Sequence, residues 1–161
     1  MEASTVDVTG KLIISNMVGE WCKLPYPDHP QGCPNYGKQA HCPPQAPTVA
    51  EFIDLSRPHW FIIVPFNLEA HAQRMKAKHP KWSDRQARCV LYWQNTVRKS
   101  LRIAINSFTW QHPGTTSTLL PEAMGVNVIA TAKKVGIDIE VKPEKIVAKI
   151  ALVGFPNGGA Q

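Results

Sequence analysis

Three of the four cysteines, Cys22, Cys33 and Cys42, fall within one run, WCKLPYPDHPQGCPNYGKQAHCPPQAP, spaced Cys-x10-Cys-x8-Cys. A fourth, Cys89, follows after forty-six intervening residues. Thiolates are soft ligands for iron and zinc, and the spacing bears on which. Zinc fingers and ribbons pair their cysteines as C-x2-C, and no such pair is present here. An iron–sulfur centre needs only four soft ligands at a common point, however far apart they lie in the chain. The pattern therefore favours an iron–sulfur cluster of the 4Fe-4S type, with zinc as the alternative.

Compartment decides what four cysteines mean. A secreted chain would pair them in disulfides, whereas a reducing cytoplasm leaves thiols for metals. The start, MEASTVDVTG, has neither the basic nor the apolar region of a signal peptide. The longest apolar stretch, Trp60 to Phe66, is too short for a membrane span and contains Pro65. A cytoplasmic, membrane-free protein of 161 residues in one domain is expected, with residues 1–10 and 156–161 as flexible ends.

The cysteine run needs something to order it. Half of the fourteen prolines (25, 27, 30, 34, 43, 44 and 47) lie between Glu20 and Pro47. Proline fixes φ and supplies no N–H donor, so this stretch is a long loop and neither helix nor inner strand. A bound metal would hold it. Gly32 and Gly37 suit tight turns or a close approach of the chain. His41, beside Cys42, is a further candidate ligand or hydrogen-bond donor. His29 and His112 read as surface residues, and His59, His71 and His79 as structural ones. There is no serine–histidine–aspartate pattern, phosphate-binding glycine loop or HExxH motif.

The elements around the loop follow from capping and periodicity. Residues 11–18 (KLIISNMV) read as a strand. Thr48-Val-Ala-Glu51 is a capping box that opens a helix ending before Pro58. Residues 59–66 read as a buried strand, irregular at Pro65 or placed at an edge. Asn67 caps a helix to about Lys78. Ser83-Asp-Arg-Gln86 is a second capping box, opening a long helix to about Asn106. On it, Cys89, Trp93, Val97, Leu101 and Ala104 form an apolar stripe, with Arg88, Asn95, Lys99 and Arg102 opposite. A loop to Leu120, a helix over 126–135 closed by Gly136, and strands over 137–141 and 147–155 complete the chain. The pattern gives an α/β fold: a small mixed sheet with packed helices and a long proline- and cysteine-rich metal-binding loop.

Cys89 has two readings. Placed in the first turns of the capped helix, it is a fourth ligand whose thiolate the helix dipole favours. Alternatively it is a small core residue, and the cluster then has an open iron site.

Two segments also carry a likeness. CPNYG…CPP…AP, and EAMGVNVIATAKKVG at Glu122–Gly136, resemble the predicted metal-binding proteins known as domain of unknown function 2284. The resemblance implies an iron–sulfur-type site and places Cys22, Cys33 and Cys42 on that family's N-terminal cysteine set; it implies no reaction. Two features depart from the pattern. No second cysteine cluster precedes Glu122, and KLPYPDHPQG lengthens the gap between Cys22 and Cys33.

The net charge of +6 and the basic residues Arg88, Lys99 and Arg102 suit a nucleic acid or another anionic partner, or simply a solvated helix face. Trp82 and Trp110 could stack on bases, whereas Trp93 belongs to the core stripe. The expected function is an iron–sulfur protein in electron transfer or in sulfur or substrate handling. The alternatives are an open-iron enzyme acting on a nucleotide or RNA base, and a structural zinc domain binding protein or nucleic acid.

Overall fold

In the computed structural model, which describes residues 2–26 and 29–158, the longest apolar run becomes the central strand β2 (His59–Asn67). Along its whole length β2 pairs antiparallel with β4 (Ile146–Gly154), His59 opposite Gly154 and Asn67 opposite Ile146. β1 (Ser4–Asp7) pairs with the other side of β2, and β3 (Thr116–Thr118) with the other side of β4. The order is β1-β2-β4-β3. The α/β class holds, but the sheet expected to be mixed is antiparallel throughout, because strand direction is set by tertiary connections that local patterns do not encode.

Alternation along β2 builds two cores. Phe61 and Ile63, with Ile150 and Leu152 of β4, face one layer that includes Val8, Val49, Ile53, Met124, Val126 and Val128. Ile62, Val64 and Phe66 face the opposite layer with Ala151, Val153, Val97, Leu101 and Ile105. Burying each such side chain contributes about 1.5–3 kcal/mol before the cost of ordering it. Pro65 lies opposite Ala148 in this central strand. It is tolerated because β1 stops at Ser4, opposite Ile63, so its missing N–H interrupts no ladder on that side.

The N-terminus corrects two expectations. Residue 1 of the expected flexible end lies outside the described residues, and residues 2–10 are not a loose end: β1 is in the sheet, and the N–H of Val8 donates to the carbonyl of His59 at 3.0 Å. Residues 11–18 are not a strand. Ile14 makes one isolated bridge with Val126, and the helical turn α1 (Met17–Glu20) begins where the strand should continue. The segment is held by the chain after Pro121: the N–H of Ser15 donates to Gly125, that of Asn127 to Ile13, and that of Ile13 to the Thr131 hydroxyl.

Both capping boxes form, yet both helices are shorter than the patterns suggest. α2 (Val49–Phe52) starts at the Thr48–Glu51 box and stops at Ile53, which turns extended to bridge Pro156. α3 (Leu68–Lys78) is capped by Asn67 as expected. The long helix from Ser83 is broken. α4 (Asp84–Ala87) ends, Cys89 adopts φ −56° and ψ 127°, a 3-10 turn follows over Val90–Tyr92, and α5 (Gln94–Gln111) runs on from there. Packing overrides periodicity here. Trp93 stacks on Phe66 with ring centres 5.1 Å apart, and its indole N–H donates to the Arg88 carbonyl at 3.1 Å.

α5 extends past Asn106, so the expected loop from Ser107 is helix and then β3. A 3-10 turn, Pro121–Met124, leads to α6 (Val128–Lys134), with Gly136 at φ +82° closing it as expected. Residues 137–141 form no strand, although Ile137 and Ile139 pack on the core. At the other end, Asn157 donates from its backbone to Phe52 and from its side chain to Ala50, so residues 156–157 are tied down. Residues 159–161 of the expected flexible end lie outside the described residues. Among the described residues, no helix is long and apolar enough to cross a membrane.

Candidate metal centre

Cys22 lies in the 3-10 turn Trp21–Lys23, which continues α1. Buried Val18 anchors that turn. Cys33 comes back against it: its N–H donates to the Cys22 carbonyl at 2.7 Å. Gly32 makes this approach possible. Its φ is +82°, and a Cβ there would stand 2.5 Å from the Cys22 carbonyl oxygen. Cys42 heads a separate turn, its N–H donating to Gln39 and its carbonyl accepting from Ala46. That turn is strapped by Gly37, at φ +71°, whose N–H donates to Pro43 at 2.8 Å and whose carbonyl accepts from the Gln45 amide at 2.8 Å.

The thiols feel one another. Burial pushes the Cys22 thiol up, and the nearby Cys33, Cys42 and Glu122 add to the shift by disfavouring another negative charge. Tyr26 is raised too, by desolvation first and then by Cys33 and Cys22. All four cysteines are free and half-buried. Among the described residues, no three His, Cys, Asp or Glu side chains converge closely enough to hold a metal ion.

A lone zinc, with each sulfur about 2.3 Å away, needs its thiolates crowded together. An iron–sulfur cluster instead takes thiolates around a larger inorganic core. Cys33 and Cys42 are near enough to act electrostatically on Cys22, but among the described residues the three thiols do not close into either arrangement. The loop also has little core of its own: from 21 to 47, only Gly32 and Pro43 are buried among the described residues.

Cys89 stands elsewhere. It is the link between α4 and the turn before α5, beside Trp93 and the Phe66 layer. The loop packs through Pro43 and α1 toward Met124, in the Phe61 layer, whereas Trp93, close to Cys89 in the chain, packs on the opposite, Phe66 layer. The expected helix N-terminus is absent as well, since Cys89 precedes a 3-10 turn in extended backbone.

His41 is exposed. His29 pairs with Tyr26 across a bridge, ring centres 4.6 Å apart. His59 is buried, its Nδ1 against the Arg57 carbonyl, and His79 stacks on Trp82 at 4.2 Å. The basic stripe is smaller than expected. Arg88 leaves it to bind Asp84 and the Glu144 carbonyl, and Lys99 and Arg102 stay exposed on α5.

Two neighbours of the thiols, Tyr26 and Glu122, were missed. Tyr26 sits in the insert after Cys22, and Glu122 opens the second of the two segments that carry the likeness. The only sequence signal for Glu122 was that likeness, since nothing local to it points across the chain to the cysteine loop.

A family model described as "predicted metal-binding protein" (domain of unknown function 2284) matches residues 7–108, more than half of the chain. The match takes in all four cysteines and ends before Glu122–Gly136. No curated protein and no solved structure matches the chain.

Proposed function

Since the chain belongs to this family of predicted metal-binding proteins, we propose that Cys22, Cys33 and Cys42 hold an iron–sulfur cluster of the 4Fe-4S type. Cys89 takes no part in this reading, which leaves one iron for a ligand other than cysteine. Such a centre suits sulfur or substrate handling better than simple electron carriage, because a bound metal with an open position can act as a Lewis acid.

The observation that supports the reading is the Cys22–Cys33 hydrogen bond, together with the pressure of Cys33 and Cys42 on the Cys22 thiol. The chain's own contribution is positional. Gly32 lets two ligand turns meet, and the Gly37–Pro43 strap sets the third. A bound cluster would supply the Lewis-acid or redox chemistry.

The test adds small thiols to anaerobically purified protein and follows its visible and electron-paramagnetic-resonance spectra. Perturbed spectra support an open iron. Unchanged spectra with every added ligand overturn it in favour of a closed or structural centre.

A further inference from the structure

The turn between α3 and α4 sets aromatic rings against one another. Pro80 supplies the fixed φ that the second residue of such a turn needs, and the N–H of Trp82 donates to the His79 carbonyl at 2.9 Å. The two rings stack, with centres 4.2 Å apart and planes 14° from parallel. A third ring comes from beyond α4. The helical break at Cys89 puts Tyr92 against Trp82, with ring centres 5.0 Å apart. An unbroken helix would carry Tyr92 about 13 Å along its axis from Ser83. Tyr92 is 52% exposed, so its ring, at the end of the series, is partly open to solvent.

Positive charge gathers in the same part of the chain. Residues 74–102 hold nine Lys and Arg and a single acid, Asp84. The rest of the chain has nine basic and eleven acidic residues, so the net charge of +6 arises wholly within this segment. Asp84 is already taken, by Lys76 and Arg88. A cleft of about 410 Å³ at the turn is lined by Lys78, His79, Pro80, Lys81 and Trp82, and among the described residues no carboxylate lines it. Both of these lysines are exposed.

Stacked rings with cations beside them match a polyanion whose repeating unit carries a flat group. An acidic protein face offers the charge without free ring faces, and a duplex hides its base faces within its own stack. A single strand offers both. We propose that His79, Trp82 and Tyr92, with Lys78 and Lys81, bind single-stranded nucleic acid, a base stacking on Tyr92 and neighbouring phosphates meeting the lysines. Val90 and Leu91, exposed beside Tyr92, add apolar surface for the base or its sugar. An anionic lipid surface fits less well, because aromatic anchors for a membrane stand apart with their bodies in the apolar layer, whereas these rings lie on one another. The surface is independent of the metal reading, since none of these residues is a cysteine.

Fluorescence anisotropy reads binding of the full chain to labelled RNA and DNA single strands of roughly twelve nucleotides, within the usual range of single-strand sites. Alongside run the RNA duplex, an abasic strand that keeps the phosphates, and phosphatidylserine vesicles. At least one intact strand should bind saturably, and its abasic counterpart about tenfold more weakly, the scale of one lost base stack. Tyr92→Leu should remove that advantage and leave affinity for the abasic strand unchanged. Lys78→Gln and Lys81→Gln should weaken both strands and each flatten the slope of log K against log salt by about 0.7. No saturable binding of either intact strand would overturn the proposal. So would an abasic strand or duplex bound as tightly as the intact strand, or binding to the vesicles alone.

Discussion

The N–H of Cys33 donates to the carbonyl of Cys22 at 2.7 Å, so two cysteines separated by ten residues meet backbone to backbone. Nothing in the loop's own apolar content accounts for this contact, because almost none of the loop is buried. Backbone geometry does. It requires a glycine just before Cys33, and Gly32 occupies the place at φ +82°.

Gly32→Ala should therefore damage the centre without touching a thiol. A Cβ 2.5 Å from the Cys22 carbonyl oxygen must push the two turns apart. Strain of this kind costs about 1–3 kcal/mol. Lower metal content and faster loop proteolysis are expected. Gly37→Ala, where a Cβ would meet nothing within 4 Å, should cost about 1 kcal/mol from its positive φ alone. Equal effects from the two substitutions would refute the steric account.

The Cys22 thiol should titrate late in metal-free protein. Its alkylation rate, read by peptide mass spectrometry, should climb at pH values above the ordinary cysteine range of about 8.5. Cys33→Ala and Cys42→Ala should each move that climb to lower pH by removing a neighbouring negative charge. Metal uptake releases the Cys22 proton, so loading should weaken as pH falls. An alkylation profile indifferent to both substitutions would mean that the three thiols are not neighbours.

Cys89→Ala separates the two layers of the molecule. With Cys89 next to Trp93 of the Phe66 layer and the loop packed toward the Phe61 layer, the variant should keep its metal and lose only about 1 kcal/mol of packing in urea unfolding. Cys33→Ala and Cys42→Ala should lose the metal. If Cys89→Ala also loses it, Cys89 reaches the centre and the three-thiolate proposal fails.

His71 gives the fold an acid-sensitive element. Burial, and then Arg74, push its imidazole below the ordinary histidine value, so the folded state favours the neutral ring. The unfolded chain takes up a proton near pH 6.5. The stability from this preference is present above that pH and is lost as pH falls through the lower folded value. Unfolding midpoints at neutral and mildly acid pH should therefore differ more for the wild type than for His71→Gln. An identical acid loss in the two proteins would assign it to other groups.

Local signals in the sequence located what is local in the structure. The capping boxes at Thr48 and Ser83, the cap at Asn67, the β2 run and the glycine after α6 are all set by residues a few positions apart. The misreadings fell where distant contacts decide. Residues 11–18 had strand composition but gave their hydrogen bonds to Gly125 and Thr131. The stripe from Cys89 to Ala104 had helical period, yet the Trp93 contacts with Phe66 and Arg88 broke the helix at Cys89. In the candidate centre, the cysteine loop and the use of Gly32 were legible from residue types and spacing. The part played by Glu122 was not, because it depends on how the loop lies against the Pro121–Met124 turn, and that of Tyr26 depends on the fold of the loop itself, where it pairs with His29 beside Cys22 and Cys33.

The central claim is tested most directly by iron and acid-labile sulfide analysis of anaerobically purified protein, with its visible spectrum recorded alongside. The account predicts brown protein carrying about four irons and four sulfides per chain, retained in Cys89→Ala and lost in Cys33→Ala. Colourless protein with one stoichiometric zinc and no sulfide would contradict it.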